Sequence, residues 1–250
     1  MEHAIYIQNL NDLKLFDRNK FNRIYFGTEF CGKLIPKNKD IKKITNSTKK
    51  TPLTFVTPWC TDNNINTLSK ILPILPTNAE VVFNDWGLLK LIKKYKLIPI
   101  LGRLLVSIKR DPRFNKNSKL PEYFKQSNIN NPFFQEFLIK HGINRIELDN
   151  VIQGYNFKLK NKFKTSMYYP FVYITTSRKC IVSNVDSKNK IKLEKCNFEC
   201  KNYTFSANLE QYNSKIILKG NSQFYVNKNM PSSLSKWKVN RLVYMPKLIF

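Results

Sequence analysis

Apolar residues fall in short, evenly spaced runs separated by polar stretches. HAIYIQ at 3–8 reads as a first strand, and DLKLFD at 12–17 as the start of a short helix. NRIYFGTEFC at 22–31 reads as a strand that delivers Cys31 at or just beyond its end. The lysine-rich stretch 36–51 is a solvated loop or helix. TPLTFVTPW at 51–59 is a strand with turn signals at both ends, and 63–76 is a helix that Pro73 and Pro76 terminate. AEVVFND at 79–85 is a strand, WGLLKLIKKY at 86–95 a helix with one apolar face, and LIPILGRLL at 97–105 another strand. A polar run, 109–124, follows. FFQEFLIKHG at 133–142 reads as a helix stopped by Gly142, and INRIELDNV at 143–151 as a strand.

Short strands alternating with short helices are the pattern of parallel β/α units, whose crossovers are right-handed. The chain is therefore expected to be α/β, a TIM-barrel-like fold with a full or partial β/α barrel. In such a barrel functional residues lie at the C-terminal ends of the strands. Cys31, Asn84, Asp85, Arg103, Glu147 and Asp149 all fall near those expected ends.

After residue 155 the texture changes. TSMYYPFVYITTSRKC at 165–180 is an aromatic and β-branched strand leading to a cysteine, and KIKLEKCNFEC follows at 190–200. KIILKGNSQFYVN at 215–227 reads as a hairpin turning near Gly220 and Asn221, and NRLVYMP at 240–246 as a last strand. This β-rich segment either closes the barrel or sits on it. No composition break marks a second domain, so 1–250 is one domain whose C-terminal part, 165–250, carries most of the cysteines.

Composition narrows the class. Of 250 residues, 42% are hydrophobic and 24% charged, which is globular and not disordered. With 7 glycines and no glycine-rich phosphate loop, a nucleotide fingerprint is absent. The 43 Lys and Arg against 17 Asp and Glu give +26, a charge that attracts RNA or another polyanion, or that simply reflects a lysine-rich composition spread along the chain. The start MEHAIYIQNL lacks the basic and apolar regions of a signal peptide, and LIPILGRLLVSI at 97–108 is too short to span a bilayer. A cytoplasmic protein is expected, in which five cysteines are not a disulfide scaffold.

Cys180, Cys196 and Cys200 have C-x15-C-x3-C spacing, and Cys31 can join them only through the tertiary fold. Four thiolates suit a 4Fe-4S cluster or zinc. Zinc favours two close cysteine pairs, and this chain has one. Ordinary buried thiols are the plain alternative. Cys60, in VTPWCTD, is a fifth thiol near the site or a replacement for one of the four. Lys179, Lys195 and Lys201 adjoin the last three cysteines, where positive charge favours thiolates, unless they face solvent.

Arg103, among apolar neighbours, needs an anion. That is either a substrate carboxylate or a structural partner such as Glu147 or Asp149. Those two alternate along one strand, so both face one side, as a proton-transferring pair or as counter-charges. Asp85 either orients a ligand or caps the helix at Trp86. Asp111 and Arg113 form a charged turn. His3 and His141 carry no hydrolase motif.

RIYFGTEFC at 23–31, FVTPWCTD at 55–62, EVVFNDWGLL at 80–89, LGRLLVSIKRDPR at 101–113 and INRIELDNVIQG at 143–154 together resemble the peptidase U thirty-two (collagenase-like) family. The similarity is greatest to its UbiV-like branch, which has one cysteine after an early Y-F-G strand and three more later. The resemblance implies a 4Fe-4S cluster held by Cys31, Cys180, Cys196 and Cys200. It implies oxygen-independent hydroxylation of an aromatic small molecule, a ubiquinone precursor, with a UbiU-like partner and with prephenate as hydroxyl donor, and no peptidase activity. Other branches of the family modify transfer or ribosomal RNA. RNA hydroxylation and a structural zinc protein are therefore the alternative expectations. The short chain, its charge and Cys60 depart from the family pattern.

Overall fold

Alternate residues of the first strand have two different environments. Ile5 and Ile7 pack among helix residues, whereas Ala4 and Tyr6 pack against Tyr25, Val56, Val82, Ile100, Tyr168 and Val243 from other strands. A closed barrel produces this division, with one apolar layer outside under the helices and one inside. The computed structural model describes residues 1–48, 51–114, 122–184, 196–208 and 215–248.

Seven of the barrel strands come in order: β1 (Glu2–Ile7), β2 (Arg23–Gly27), β3 (Leu53–Val56), β4 (Glu80–Phe83), β5 (Ile98–Leu101), β6 (Arg145–Asp149) and β7 (Lys164–Tyr169). The chain then leaves the barrel to build β8 (Phe171–Thr176), β9 (Phe205–Asn208), β10 (Lys215–Lys219) and β11 (Ser222–Val226). It returns as β12 (Val239–Tyr244), which pairs in parallel with both β7 and β1 and closes the eight-stranded ring. The expected TIM-barrel-like α/β fold with a β-rich C-terminal segment is what is found. The two options for that segment are both realised, since its last strand closes the barrel and the rest forms an antiparallel sheet in the order β8-β11-β10-β9.

The run 165–180 is not one strand. Pro170, with no N–H to donate, separates β7 from β8, and the two strands belong to different sheets. The hairpin turn at Gly220 and Asn221 is as expected, with Gly220 at φ +58°. Two other strands end earlier than their apolar runs suggest. β2 stops at Gly27 and β5 at Leu101, so Cys31 and Arg103 lie in the loops beyond.

Among the described residues four α-helices line the outside. In α1 (Asn38–Ser47) Ile41 and Ile44 are buried and the lysines face out, so the lysine-rich stretch is a helix. α2 (Asp62–Ile71) buries Leu68 and Ile71, and passes through a 3-10 turn at Pro73. A 3-10 turn at Trp86–Leu88 leads into α3 (Leu89–Lys94), and α4 (Pro132–Lys140) starts on an Asn131 cap. Among the described residues no helix is long and apolar enough to cross a membrane.

The small sheet is fastened to the barrel rim. Phe30, just past β2, packs against Phe224 and Tyr173, with ring centroids 5.2 and 5.6 Å apart. The Asn221 amide donates to Phe30 O (2.8 Å) and Ser177 O (2.7 Å), tying the hairpin turn to both the rim loop and the end of β8. Burial of these aromatic faces and satisfaction of the loop carbonyls hold Cys31 close to the inserted sheet.

Candidate functional site

Cys31 reaches the rim because β2 ends abruptly. Gly27 has φ +132°, and a Cβ there would lie 2.1 Å from Val56 O, so only glycine lets the chain turn away at that point. Thr28 N then donates to Val56 O (3.1 Å), and Cys31 opens a 3-10 turn at Gly32–Leu34. Cys180 lies beyond the end of β8, its carbonyl accepting from Ser183 Oγ (2.8 Å). Cys196 Sγ accepts from Phe198 N (3.4 Å), and Cys200 is buried in the 3-10 turn Glu199–Lys201, which Phe198 enters from a left-handed conformation (φ 65°).

These three chain segments bring four sulfurs into mutual electrostatic range. Burial pushes the Cys200 thiol up, and Cys180, Cys31 and Cys196 raise it further, to about 11. Burial likewise raises Cys31, with the N–H of Lys33 opposing and with Cys180 and Cys196 adding to the rise. Such repulsion between thiols arises only among near neighbours. All five cysteines are thiols, none cross-linked to another. Among the described residues no three His, Cys, Asp or Glu side chains are gathered at the spacing of a single metal ion. Cys60 stands apart. Its Sγ donates to Pro58 O (3.2 Å), and burial with the nearby Asp85 charge pushes it up to about 12.

The lysine that acts on Cys200 is Lys219 of β10, whose Nζ also donates to Thr204 Oγ1 (2.9 Å). Lys201 lies over the Phe198 ring (4.8 Å), Lys179 is exposed, and Lys195 falls outside the described residues.

The barrel mouth is occupied by a buried ionic cluster. Arg103 Nη2 donates to Glu29 Oε2 (2.6 Å), Nε to Glu29 Oε1 (3.0 Å) and Nη1 to Asp149 Oδ1 (2.7 Å). Arg110 Nε takes the other Asp149 oxygen (2.7 Å). All four residues are buried, and the Arg103 guanidinium lies 4.3 Å over the Tyr168 ring. Close approach to Gly102 makes this possible, since a Cβ there would fall 2.1 Å from Asn84 Oδ1, which accepts from Leu104 N (3.1 Å). Arg103 thus has the internal carboxylate partner Asp149, and its principal partner is Glu29. Glu29 and Arg110 were not evident in the sequence, although Glu29 stands in an apolar run just as Arg103 does.

Glu147 faces the same side as Asp149 but sits deeper, below the tyrosine layer. Its Oε1 accepts from Tyr25 Oη (3.0 Å), which accepts in turn from Arg241 Nη1 (2.7 Å), and its Oε2 has no partner. Burial outweighs the Arg241 and Arg145 charges and raises Glu147 to about 7. Glu80, also at the lower end, is pushed up by burial, but hydrogen bonding and charge from Arg241, with Arg23, hold it at about 2. Glu147 and Asp149 are therefore separate groups, not a carboxylate pair at one site. Asp85 caps the 3-10 turn at Trp86, with Oδ1 accepting from Gly87 N (2.8 Å), while Oδ2 accepts from Cys60 N (3.0 Å).

Two openings lie at the rim. A cavity of about 300 Å³ lies under the inserted sheet, between Trp59, Asn84, Leu104, Tyr173 and Arg178. The Arg178 guanidinium stands 5.0 Å over the Trp59 ring. A groove of about 1000 Å³ runs between the first two rim loops, with Leu34, Phe198 and Lys201 on its wall.

No protein-family model matches the chain, and no curated protein sequence does. Two solved structures are similar to it. One is described as the copper homeostasis protein CutC from Streptococcus agalactiae, with TM-score 0.42 and 12% identity over 67% of this chain and 87% of that one. The other is a glycoside hydrolase family 18 N-acetylglucosaminidase from Paenibacillus barengoltzii, with TM-score 0.38 and 7% identity over 97% of this chain and 94% of that one. Likenesses of this degree carry nothing about ligand or activity.

Proposed function

We propose that the chain holds a 4Fe-4S cluster on Cys31, Cys180, Cys196 and Cys200 at the C-terminal rim of the barrel. The observation that carries this reading is the convergence of four thiols from three chain segments, each of Cys31 and Cys200 feeling its neighbours. Around a cubane each thiolate binds a different iron, so the sulfurs stand further apart than four sulfurs on one zinc ion. Four thiols reaching one rim from separate segments suit a cubane, which takes one thiolate on each iron. Lys219 and the N–H groups of Lys33 and Phe198 supply positive potential for a cluster of negative total charge.

The sequence resemblance extends the proposal to a UbiV-like role: support of oxygen-independent hydroxylation of an aromatic small molecule with a UbiU-like partner. The cavity lined by Trp59, Tyr173 and Arg178 offers such a molecule aromatic side chains and a cation. Arg103 is the wrong group to bind a prephenate carboxylate, because its donors already serve Glu29 and Asp149 in a buried cluster. Anaerobic purification should give about four iron and four sulfide per chain. Replacing any of the four cysteines by serine should lower both, while Cys60→Ser should not. One zinc without sulfide, or full iron retention in both Cys31→Ser and Cys200→Ser, refutes the reading.

A further inference from the structure

Away from the cysteine rim, on the outer wall, two neighbouring helices expose an aromatic and basic face. Phe133 is 78% exposed, Phe137 41% and Trp86 39%. The rings of Trp86, Phe134 and Phe137 form one patch, with Trp86 5.6 Å from Phe137 and 6.0 Å from Phe134 and with Phe134 and Phe137 nearly parallel, and Phe133 lies one helical turn before Phe137 on α4. Helical spacing continues each aromatic stripe into cations. Lys90 and Lys93 of α3 follow Trp86, and Lys140 follows Phe137 along α4. The two stripes meet again at their basic ends, where Lys93 Nζ lies 3.2 Å from His141 Nδ1. The acidic residue of α4, Glu136, is paired with Lys160 (2.9 Å). The face therefore presents rings beside a positive field.

A contiguous apolar patch of this kind marks an interaction surface. The charge decides its occupant. We infer that the α3–α4 face binds single-stranded nucleic acid, whose bases would stack on Phe133, Phe137 and Trp86 while its phosphates follow Lys90, Lys93 and Lys140. Flat rings accept any base, and lysines track a backbone, so the binding is sequence-tolerant and salt-dependent. The net charge of +26 adds long-range attraction for a polyanion. This inference is independent of the cysteine site.

The test is fluorescence anisotropy with the full chain and a labelled oligouridylate about a dozen nucleotides long. Phe133→Ala and Phe137→Ala are surface changes that leave the fold intact, and each should weaken binding at least about 5-fold at fixed salt. Lys90→Gln should lower the salt slope by about one ion without changing base tolerance. Phe205→Ala, on the inserted sheet, should change nothing. Three results overturn the inference: no salt-sensitive binding of the oligonucleotide, equal loss on Phe205→Ala, or heparin or anionic phosphatidylserine vesicles competing fully while the phenylalanine variants bind like wild type. The last two outcomes would mean binding elsewhere, or attraction by charge alone.

Discussion

Glu147 gives the most direct test of the barrel interior. Its carboxyl is fully buried, with one oxygen bonded to Tyr25 and the other without a partner. Burial raises it from an ordinary 4.5 to about 7. An acid whose pKa is higher in the folded state binds more protons folded than unfolded between those two values. Stability must therefore fall as pH rises from about 4.5 to about 7, and level off above. The full span is worth about 3 kcal/mol at roughly 1.4 kcal/mol per pH unit. Glu147→Gln keeps the acceptor for Tyr25 and removes the charge. The difference in unfolding free energy, variant minus wild type, should grow by up to about 3 kcal/mol between pH 4.5 and 8. Urea unfolding at four or five pH values measures it, and taking the difference cancels the titration of every other group. Parallel curves for variant and wild type would show that Glu147 is ionised in the folded protein near pH 5. The account of the Tyr25–Arg241 network would then be wrong.

Other perturbations probe the parts that position the site. Arg103→Met leaves Glu29 and Asp149 buried without their main cation, and should cost about 3–5 kcal/mol in urea unfolding. Arg103→Lys should recover part of that, because an ammonium lacks the fork that serves both carboxylates. Gly27→Ala pushes a methyl into Val56 O at a positive φ, and should destabilise by more than about 2 kcal/mol in the same assay, whether or not metal is bound. Asn131→Ala removes the oxygen that accepts from Phe133 N and Phe134 N (2.9 and 3.3 Å), and should cost about 1 kcal/mol and lower the far-UV helical signal slightly.

The barrel was legible because parallel β/α units repeat a simple alternation, and each apolar run marked a strand or helix to within a few residues. What the runs hid was where strands stop. The stretches 22–31 and 97–105 stay apolar beyond Gly27 and Leu101, because the rim loops are themselves buried under the inserted sheet. For the same reason 165–180 looked like one strand, although Pro170 was a visible reason to divide it. Parity correctly put Glu147 and Asp149 on one side, but it does not report depth. One pairs below the tyrosines and the other above them. Asp85 was legible as a cap from its place before Trp86. Glu29 and Arg110 were missed because each finds its partner across the barrel mouth, a relation that no local pattern contains. The stretch 190–195 lies outside the described residues.

The placement of the inserted sheet gives the proposed cluster a structural consequence at Cys31. β8 through β11 leave the barrel after β7, and the chain returns only as the closing strand β12. The sheet is held at the rim by the Phe30–Tyr173–Phe224 cluster, by Val172 and Tyr225 buried in the main core, and by the Asn221 amide and Tyr173 Oη bonded to rim carbonyls, whereas β9 at its far edge is exposed along its whole length. An edge strand exposed in this way opens locally at low cost. Three of the four cysteines ride on this insert and the fourth on the barrel, so a group that ligates all four would fasten the insert to the barrel as well as bind there. Ligand binding to the folded state adds its free energy to local stability. Amides of β9 and β10 should then exchange with solvent more slowly in the metal-loaded protein, while those of β3 and β4 are unchanged. Equal exchange in β9 and β10 with and without metal would mean that any metal sits on the cysteines without joining the two parts, and that Cys31 does not tie the insert to the barrel.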